Sequence, residues 1–590
     1  MTADARRAWA QPRTILLGGL LLTLLAYLNT LTFQFVYDDH QLKGPGGYLD
    51  AGVIAGYFTH HLWAGIAQHG GYYRPVLQTW VVLVHFFLGQ HVVAWHVTAI
   101  AMHLAVTWLV YLAVMEISRD RLLAAVAAGI FGVHPVHVEV VAWVSGAMSE
   151  GLLAALTLGS LVCYLRARRA QDHPLRWYGA SWALFAAALM VKETAAALPI
   201  VIIAFEWIRP GDDEPRCSGS FVNAAALALP YGVVFAAYFL VRHLVLSRAA
   251  APVTAVTTSA APMWLTLPSA AWFYLRELAW PSRLSLFQPV GQVTDMGASD
   301  FWLPLAGVVV VAAAVILIAR RSALAAFAAS FIAAMLLVPL VAIYALPKYE
   351  LVHDRYLYLP SVGLALLLAV GVRQLATKMA RPAILLLLAG VAVTIVTAAQ
   401  NNVWTNDLTL FRHASAAAPN NPMPLDLLAN EMFKQGKVDD ALRLYRRALD
   451  IDPQLWATAF SLGISECEVR LFPDCALHLS QAVDIDEQNA VQYGYLGRAE
   501  LQIGDNAAAE RSMRRGIRLF PDTFLLRYYL AIALGRQGRL AEAKAALQDE
   551  IALNSPWTEL MRYSISEIAN IEARGGSVWP GPPTMFSPQM

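Results

Sequence analysis

The stretch ILLGGLLLTLLAYLNTLTFQFVYDDH, residues 15–40, changes within a few positions from a long apolar run to the acidic pair Asp38 and Asp39. Its apolar part is long enough for one helix across the hydrocarbon core of a bilayer. Three arginines precede the run and no small-residue cleavage site follows it, which indicates a retained first span rather than a removed signal peptide. Two carboxylates at the mouth of a membrane domain must be solvated, paired or used in chemistry.

The composition of the whole chain agrees with a membrane protein. Of its 590 residues 58% are hydrophobic and 14% are charged, and the mean hydropathy is +0.49. The net charge of +1 gives no reason to expect a nucleic-acid partner. Cys163, Cys217, Cys467 and Cys475 show no metal-ligand spacing, and a disulfide between the last two is left open because it depends on the compartment.

Hydropathy predicts an all-helical, polytopic membrane domain, because each span needs about 20 apolar residues. Eleven spans are predicted, at about 15–35, 91–117, 122–138, 149–166, 176–191, 194–208, 222–246, 301–319, 323–346, 357–372 and 382–400. Residues 76–88 are too short for a confident span, and both this stretch and the Trp- and Tyr-rich residues 264–280 fit interfacial helices.

Basic residues concentrate in alternate loops and so predict the orientation. They are Arg6, Arg7, Arg13, Arg119, Arg121, Arg166, Arg168, Arg169, Arg176, Arg209, Arg216, Arg320, Arg321, Arg373, Lys378 and Arg381. The positive-inside rule places these loops and the N-terminus in the cytoplasm. With an odd number of spans, the Asp pair and everything after Asn401 then lie on the far side. For a bacterial inner membrane, that side is the periplasm.

A repeat of 34 residues begins near residue 420. Leucines recur at Leu428, Leu462, Leu496 and Leu530, and small residues follow each of them at Ala429, Gly463, Gly497 and Ala531. The turn positions read Gly436, Arg470, Gly504 and Gly538. This is the tetratricopeptide signature, in which small residues let two helices pack closely and stacked hairpins share a core. Such a solenoid holds a peptide or partner protein in its groove, or serves as a spacer or oligomer contact.

Five polar clusters fall on the far side in this topology. They are Asp38-Asp39-His40; Tyr72-Tyr73-Arg74-Pro75; the segment from His134 to Glu139 with Ser145 and Glu150; Lys192-Glu193; and the segment from His353 to Ser361. A carboxylate can act as general base on an acceptor hydroxyl, and Arg and Lys can neutralise a phosphate. Together these groups favour one site at the outer membrane face for glycosyl transfer from a lipid-linked phosphate sugar.

Each cluster also has a purely structural explanation. The Asp pair can cap a helix, and Arg74 and Arg355 can anchor to lipid phosphates. His134 and His137 fit a hydrogen-bonding role better than a zinc site. Lys192 and Glu193 can form a buried ion pair. Ionisable groups at this depth are costly, however, so five purely structural clusters in one protein are not expected.

At these residues the chain resembles the C-type (GT-C) membrane glycosyltransferases, and more closely the transmembrane and tetratricopeptide-repeat O-mannosyltransferases with their bacterial homologues. The likeness covers nearly the whole chain. It rests on Val-Tyr-Asp-Asp at 36–39, Tyr-Tyr-Arg-Pro at 72–75, His-Pro-Val-His-Val-Glu-Val-Val-Ala-Trp-Val-Ser at 134–145, Lys-Glu at 192–193 before Leu-Pro at 198–199, Arg-Tyr-Leu-Tyr-Leu-Pro-Ser at 355–361, and Trp404.

The resemblance implies a polyprenyl-phosphate monosaccharide donor, inversion at the anomeric carbon and a catalytic acid in the first outer loop. Asp38 or Asp39 would be the base or would orient the acceptor. The donor phosphate would contact Arg74, Lys192 and Arg355, while His137, Glu139, Glu193, His353 and Tyr73 would contact the sugar or support its neighbours. No cofactor is certain, and a divalent cation at Asp38 and Asp39 is left open. His353-Asp354 precedes the Arg where the family often has Glu, so sugar and acceptor identity do not transfer.

The predicted organisation is a membrane glycosyltransferase domain at 1–400 with an outer loop at about 36–90, a linker at 401–419, about four repeats at 420–560 and a tail at 561–590. The predicted partners are the bilayer, a polyprenyl-linked sugar and a protein whose Ser or Thr accepts the sugar. Two alternatives are a glycan or lipid acceptor, with the repeats as an assembly device, and a non-catalytic scaffold that displays the repeats.

Overall fold

The computed structural model describes residues 11–43, 54–60, 72–208, 220–248, 263–376 and 382–581, which contain helices and turns but no strand. The chain divides into two compact units, Met1–Ala418 and Pro419–Met590. The predicted all-α fold class is therefore confirmed. Seven residues used above lie outside the described ranges: Arg6, Arg7, Arg209, Arg216, Cys217, Lys378 and Arg381.

The first unit consists of helices joined by short 3₁₀ segments. Its helices are α1 Pro12–Tyr27, α2 Ile54–Tyr57, α3 Pro75–Leu88, α4 Val92–Ser118, α5 Arg121–Val133, α6 Val138–Ala142, α7 Val144–Gly146, α8 Leu152–Ala167, α9 Pro174–Leu189, α10 Leu198–Ile208, α11 Phe221–Arg248, α12 Leu267–Ala279, α13 Ser299–Ala319, α14 Ala323–Ala342, α15 Pro360–Ala376, α16 Pro382–Asn401 and α17 Asp407–Ala417. The 3₁₀ segments used below are Tyr37–Lys43, Pro135–His137, Glu193–Ala197, Asp354–Leu357 and Asn402–Trp404.

Each of the eleven predicted spans contains one of these helices, but not all of the helices are long. Within the described residues, seven helical segments are long and apolar enough to cross a membrane. The number is eight if α5 and the bent segment after it form one span. The helix α10 has only 11 residues, which rise about 17 Å against a hydrocarbon core of about 30 Å. The chain is a multi-pass membrane protein by these criteria, and the number of eleven crossings stays a prediction.

Small residues bring the helices of the first unit close together. A Cβ added at Gly19 on α1 would lie 3.0 Å from the Cα of Gly129 on α5, and one at Gly132 would lie 2.0 Å from the Oγ1 of Thr23. Helices in lipid associate through such close backbone packing, because burial of apolar surface gives them little driving force. The packing of α1 on α5 fixes the positions of the polar segments that follow both helices.

The chain breaks repeatedly after α5, and the breaks place the polar groups of the third cluster. It bends by 52° at the junction of α5 with Pro135–Ala142, where Pro135 starts a 3₁₀ turn. The segment then passes through α6 and α7 to a π-helical turn, Ala147–Gly151, which carries Glu150. Such turns re-aim side chains that a continuous helix would spread around its surface.

Of residues 401–419, predicted as a linker, residues 401–418 belong to the first compact unit. The 3₁₀ turn Asn402–Trp404 and the helix α17 occupy them, and Trp404, Leu410 and Phe411 are buried. Asp407 at the start of α17 accepts a hydrogen bond from the Tyr37 amide at 2.8 Å. Its other carboxylate oxygen lies 2.6 Å from His40 Nε2. The apolar residues of this segment need a buried partner, which a free linker could not provide.

The second unit is a stack of antiparallel helix hairpins, as the 34-residue repeat predicts. Its helices are α18 Pro422–Lys434, α19 Val438–Ile451, α20 Trp456–Glu468, α21 Phe472–Ile485, α22 Ala490–Gln502, α23 Asn506–Leu519, α24 Leu526–Arg536, α25 Leu540–Ala552 and α26 Thr558–Ala573. A Cβ at Gly463 would lie 2.8 Å from Leu479, which explains the small residue at this repeat position. Cys467 and Cys475 form a disulfide between α20 and α21.

Candidate active site

The two aspartates of the first outer loop lie on the 3₁₀ segment Tyr37–Lys43 and differ in their surroundings. Asp39 is fully buried, and its Oδ1 accepts hydrogen bonds from the amide and the hydroxyl of Ser145 at 2.7 and 2.6 Å. The amide of Val36 donates to its Oδ2 at 3.4 Å. Burial raises the pKa of Asp39 to about 7, although these hydrogen bonds act in the opposite direction. Asp39 thus fastens the outer loop to α7.

Asp38 is only partly buried and is not held by such a set of donors. The side-chain nitrogen Nε2 of Gln41 lies 3.5 Å from Asp38 Oδ1. Burial raises the pKa of Asp38, and the nearby positive charge of Arg355 partly offsets this rise. Glu350 lies near both of these groups. Burial and the charge of Asp38 raise the pKa of Glu350, and the charge of Arg355 lowers it. Asp38 therefore belongs to a charged cluster that includes Glu350 and Arg355.

Arg355 is the centre of this cluster and is clamped by Glu139. Its Nη1 lies 2.5 Å from Glu139 Oε1, and its backbone amide donates to Glu139 Oε2 at 2.8 Å. Its guanidinium carbon lies 5.4 Å from the centre of the Trp143 ring and 5.3 Å from that of Tyr356. Both carboxylate oxygens of Glu139 thus hold Arg355, one through its guanidinium and the other through its backbone amide.

Lys192 joins the same cluster through the ring of Tyr356, which both Lys192 and Arg355 contact. Its Nζ lies 4.4 Å from the centre of the Tyr356 ring and forms an ion pair with the buried Glu150. The pairing of Lys192 with its neighbour Glu193, considered in the sequence analysis, is not seen. The structure therefore brings Asp38, Lys192 and Arg355 into one cluster, together with Glu139.

Arg74, Arg242 and Glu193 form a second charged group, and Glu193 directly follows Lys192 in the chain. The Nη2 of Arg74 lies 3.3 Å from Glu193 Oε2, and Arg242 Nε on α11 lies 3.6 Å from Glu193 Oε1. The guanidinium of Arg74 also covers the ring of Tyr72, 4.5 Å from its centre. Two guanidiniums thus share the carboxylate of Glu193.

Three further predicted site residues occupy buried, packed positions. Tyr73 is buried and its hydroxyl donates to the carbonyl of Phe58 at 3.1 Å. His137 is buried, with Nε2 2.8 Å from the hydroxyl of Ser361. The ring of His353 packs edge-on against Tyr356, and burial together with the charges of Arg355 and Lys192 lowers the pKa of His353 well below its usual value. His353 is therefore neutral.

The charge balance differs between the two groups. Four carboxylates surround the two cations of the first group, from Asp38, Glu139, Glu150 and Glu350. The second group has two guanidiniums and one carboxylate. Among the residues that the structure describes, no three His, Cys, Asp or Glu side chains are arranged to hold a metal ion. The two guanidiniums on Glu193 are of the kind that binds phosphate by paired hydrogen bonds.

Sequence reasoning missed Arg242 and Glu350 as members of the site. Arg242 had a visible signal, because it is a cation within an otherwise apolar predicted span at 222–246, and such residues mark sites or pathways. Glu350 had no such signal in the sequence, because it stands in a short loop with Lys348 and Tyr349, where a solvated carboxylate is ordinary. The roles assigned to all site residues stay predictions.

Comparison with known proteins bears on both units. A tetratricopeptide-repeat family model matches residues 423–455. Protein O-mannosyl-transferase Tmtc1 of Drosophila melanogaster is 30% identical over 224 residues, which are 36% of this chain and 25% of that protein. Protein O-mannosyl-transferase TMTC1 of Homo sapiens is 24% identical over 496 residues, which are 74% of this chain and 55% of that protein. The chain thus spans between a quarter and about half of the length of these relatives.

The solved structure of the MamA protein is 25% identical to a part of the chain. The match covers 26% of this chain and 82% of that one, with a TM-score of 0.25. That score is too low to support a conclusion about shape or function. The resemblance to O-mannosyltransferases with tetratricopeptide repeats, inferred from the sequence motifs, is confirmed by the relatives and by the family model.

Proposed function

We propose that the chain is a membrane glycosyltransferase that transfers a monosaccharide from a polyprenyl-phosphate donor to a Ser or Thr hydroxyl of a protein. The observation that carries this proposal is its similarity to a protein O-mannosyl-transferase over 74% of the chain, a share that includes residues of both predicted halves. The clustering of Asp38, Lys192, Glu139 and Arg355 supports it, because four distant segments supply these groups to one place.

In this proposal the donor phosphate binds at Arg74 and Arg242. Guanidiniums bind phosphate by paired hydrogen bonds, and Glu193 now occupies the space between the two. The resemblance assigns Lys192 and Arg355 to the phosphate as well. Each pairs with a carboxylate in the cluster that contains Asp38, and in this proposal they organise the acceptor side.

Asp38 is the proposed general base. An inverting transfer needs one carboxylate that takes the proton of the attacking hydroxyl as the new glycosidic bond forms and the phosphate leaves. Burial raises the pKa of Asp38, which makes it a stronger base than an ordinary aspartate, and the charge of Arg355 limits this rise. Asp39 is less suited, since one of its oxygens already accepts two hydrogen bonds from Ser145.

The proposed location is a bacterial inner membrane, with the N-terminus in the cytoplasm and the site and the repeats in the periplasm. The alternation of basic loops supports this orientation. The disulfide between Cys467 and Cys475 supports an oxidising compartment for the repeats. In the proposal, the repeats hold an extended protein segment and so present its hydroxyl groups to the membrane domain.

The test is transfer by the purified full chain in liposomes, with radiolabelled polyprenyl-phosphate mannose as donor and Ser/Thr-rich periplasmic proteins as acceptors. We expect Asp38→Asn to lower the transfer rate by about 100-fold or more, as loss of a general base does. The exposed Asp172, ahead of α9, gives the matched control Asp172→Asn, which should keep the full rate. Full transfer by a folded Asp38→Asn protein would refute the role of Asp38.

A further inference from the structure

A cavity of about 410 Å³ lies between α5, α14 and α15, remote from the charged clusters. Its lining is half polar and half apolar: Leu123, Ser322, Leu324, Val370, Arg373 and Gln374. The volume is within the range of small-molecule sites, about 300–1,000 Å³. Nothing in the proposed transfer reaction uses this cavity.

The cavity lies at the opposite ends of helices whose other ends carry the candidate site. The helix α5 begins beside the cavity and ends at Val133, next to the segment that holds Glu139. The helix α15 begins at Pro360, shortly after Arg355, and reaches the cavity in its last turns. Its 17 residues rise about 26 Å. The cavity therefore opens at the other face of the membrane.

Positive charge is concentrated around the opening of the cavity. Arg119 and Arg121 precede the lining residue Leu123 in the chain, and Arg320 and Arg321 precede the lining residue Ser322. All four arginines are exposed, and none of them forms an ion pair with another residue in the described part of the chain. Arg373 in the cavity wall pairs with Asp120, which also caps the start of α5. Arg373 is thus paired with Asp120, whereas the four exposed arginines have no ion pair within the described residues, so an anion at this place would meet positive charge that no such pair compensates.

The surface beside the cavity is apolar. On α15, Leu368 and Leu375 are 44% and 58% exposed, and they stand two turns apart on the same face of the helix. In a membrane-spanning helix such leucines contact acyl chains. A ligand at this place would therefore have an anionic group in the cavity and hydrocarbon chains along α15.

We propose that this cavity binds the phosphate headgroup of an anionic phospholipid, with its acyl chains along Leu368 and Leu375. The basic loops around it belong to the side that the positive-inside pattern assigns to the cytoplasm, and the cytoplasmic leaflet carries such lipids. In this proposal the bound lipid contacts α5, α14 and α15 at the membrane face opposite to the candidate site. This inference does not depend on the proposed transfer activity.

A diffuse attraction between basic loops and anionic lipids is the alternative, and a cavity-filling variant separates the two. Val370→Trp and, from another helix, Leu324→Trp keep every charge but fill the cavity. Arg373→Gln removes the charge in its wall. Arg176→Gln is the matched control, because Arg176 is an exposed arginine of another basic loop and does not line the cavity.

The experiment is native mass spectrometry of the full chain released from nanodiscs that contain phosphatidylglycerol and phosphatidylcholine. We expect the wild type and Arg176→Gln to retain one phosphatidylglycerol, and Arg373→Gln and at least one folded tryptophan variant to lose it about tenfold more readily. Retention by both folded tryptophan variants at the wild-type level would overturn the proposal. Equal retention of phosphatidylcholine, or displacement of the lipid by millimolar inorganic phosphate, would overturn it as well.

Discussion

Asp38 and Asp39 are adjacent in the chain but have opposite environments. The carboxylate of Asp39 is fully buried and accepts two hydrogen bonds from Ser145, whereas that of Asp38 lies partly exposed near Arg355 and Glu350. The 3₁₀ backbone of this segment explains the difference, because it directs successive side chains about 120° apart. Asp39 therefore fixes the loop, and Asp38 is the aspartate to which the proposal assigns the chemistry.

Asp39→Asn should change how the stability of the protein depends on pH. The pKa of Asp39 is about 7 in the folded chain and about 3.9 in an unfolded one, so the folded state binds the proton more tightly. The stabilising contribution of this proton is complete below pH 4 and is lost as the pH rises through 7. We expect the fall in Tm between pH 4 and 8 to be smaller in Asp39→Asn than in the wild type.

The measurement is thermal unfolding in detergent at several pH values, with Asp38→Asn as the comparison. Asp38 is less buried and makes fewer hydrogen bonds, so its replacement should change the profile less. Identical pH profiles for the wild type and Asp39→Asn would contradict the buried, proton-binding environment described for Asp39.

At the scale of the element, the charge on α11 gives a second prediction. Arg242 faces Glu193 together with Arg74, and the proposal assigns both guanidiniums to the donor phosphate. Arg242→Gln should weaken binding of a polyprenyl-phosphate donor by about tenfold, which corresponds to about 1.4 kcal/mol, while acceptor KM stays the same. Arg242→Lys should recover only part of the affinity, since Lys cannot make the paired hydrogen bonds of a guanidinium.

The control for this prediction is Arg276→Gln on α12, because Arg276 pairs with Glu277 and not with Glu193. Donor affinity is measured by competition with a labelled donor in detergent. An increase in acceptor KM alone after Arg242→Gln, with donor affinity unchanged, would place Arg242 on the acceptor side instead.

The segment after α26 folds back onto the last hairpin of the repeats. Trp579 is buried, and its amide donates to the carbonyl of Gly535 on α24 at 3.0 Å. The Nε of Arg536 donates to the carbonyl of Pro580 at 3.0 Å. A Cβ at Gly535 would lie 2.8 Å from the Trp579 ring, so glycine makes room for the indole. The segment thus covers apolar surface that would otherwise be exposed at the end of the stack.

Trp579→Ala should destabilise the repeat unit by about 3–5 kcal/mol, the usual effect of truncating a buried aromatic side chain. Val578→Ala is the matched control, because Val578 is half exposed and its loss should cost little. Chemical denaturation followed by circular dichroism of the full chain measures both. Equal stability of the two variants would show that the segment contributes nothing to the end of the solenoid.

At the scale of the whole molecule, the two compact units divide the proposed work. Residues 1–418 contain every candidate site residue, and residues 419–590 contain the repeats. A chain that ends at Ala418 should bind the polyprenyl-phosphate donor with the affinity of the full chain but lose most transfer to protein. Transfer that continues on the same protein acceptor at the full rate would contradict presentation by the repeats and favour a glycan or lipid acceptor.

The sequence by itself determined the architecture of both units. Hydropathy over about 20 residues located the helices of the membrane domain, and the spacing of Leu428, Leu462 and Leu496 located the hairpins. These signals are readable because they are periodic and local: each helix or hairpin must carry its own apolar face. The polar clusters were visible for a related reason, since a charge within apolar sequence is rare.

Only the tertiary structure decided which charges are neighbours. It pairs Lys192 with Glu150 rather than with Glu193, brings Arg242 to Arg74, and buries Asp39 while Asp38 stays accessible. No pattern along the chain encodes these choices, because an ion pair depends on the rotation and depth of helices that are far apart in sequence. Those rotations follow from packing at contacts such as that between Gly19 and Gly129, where the shape of the whole core decides.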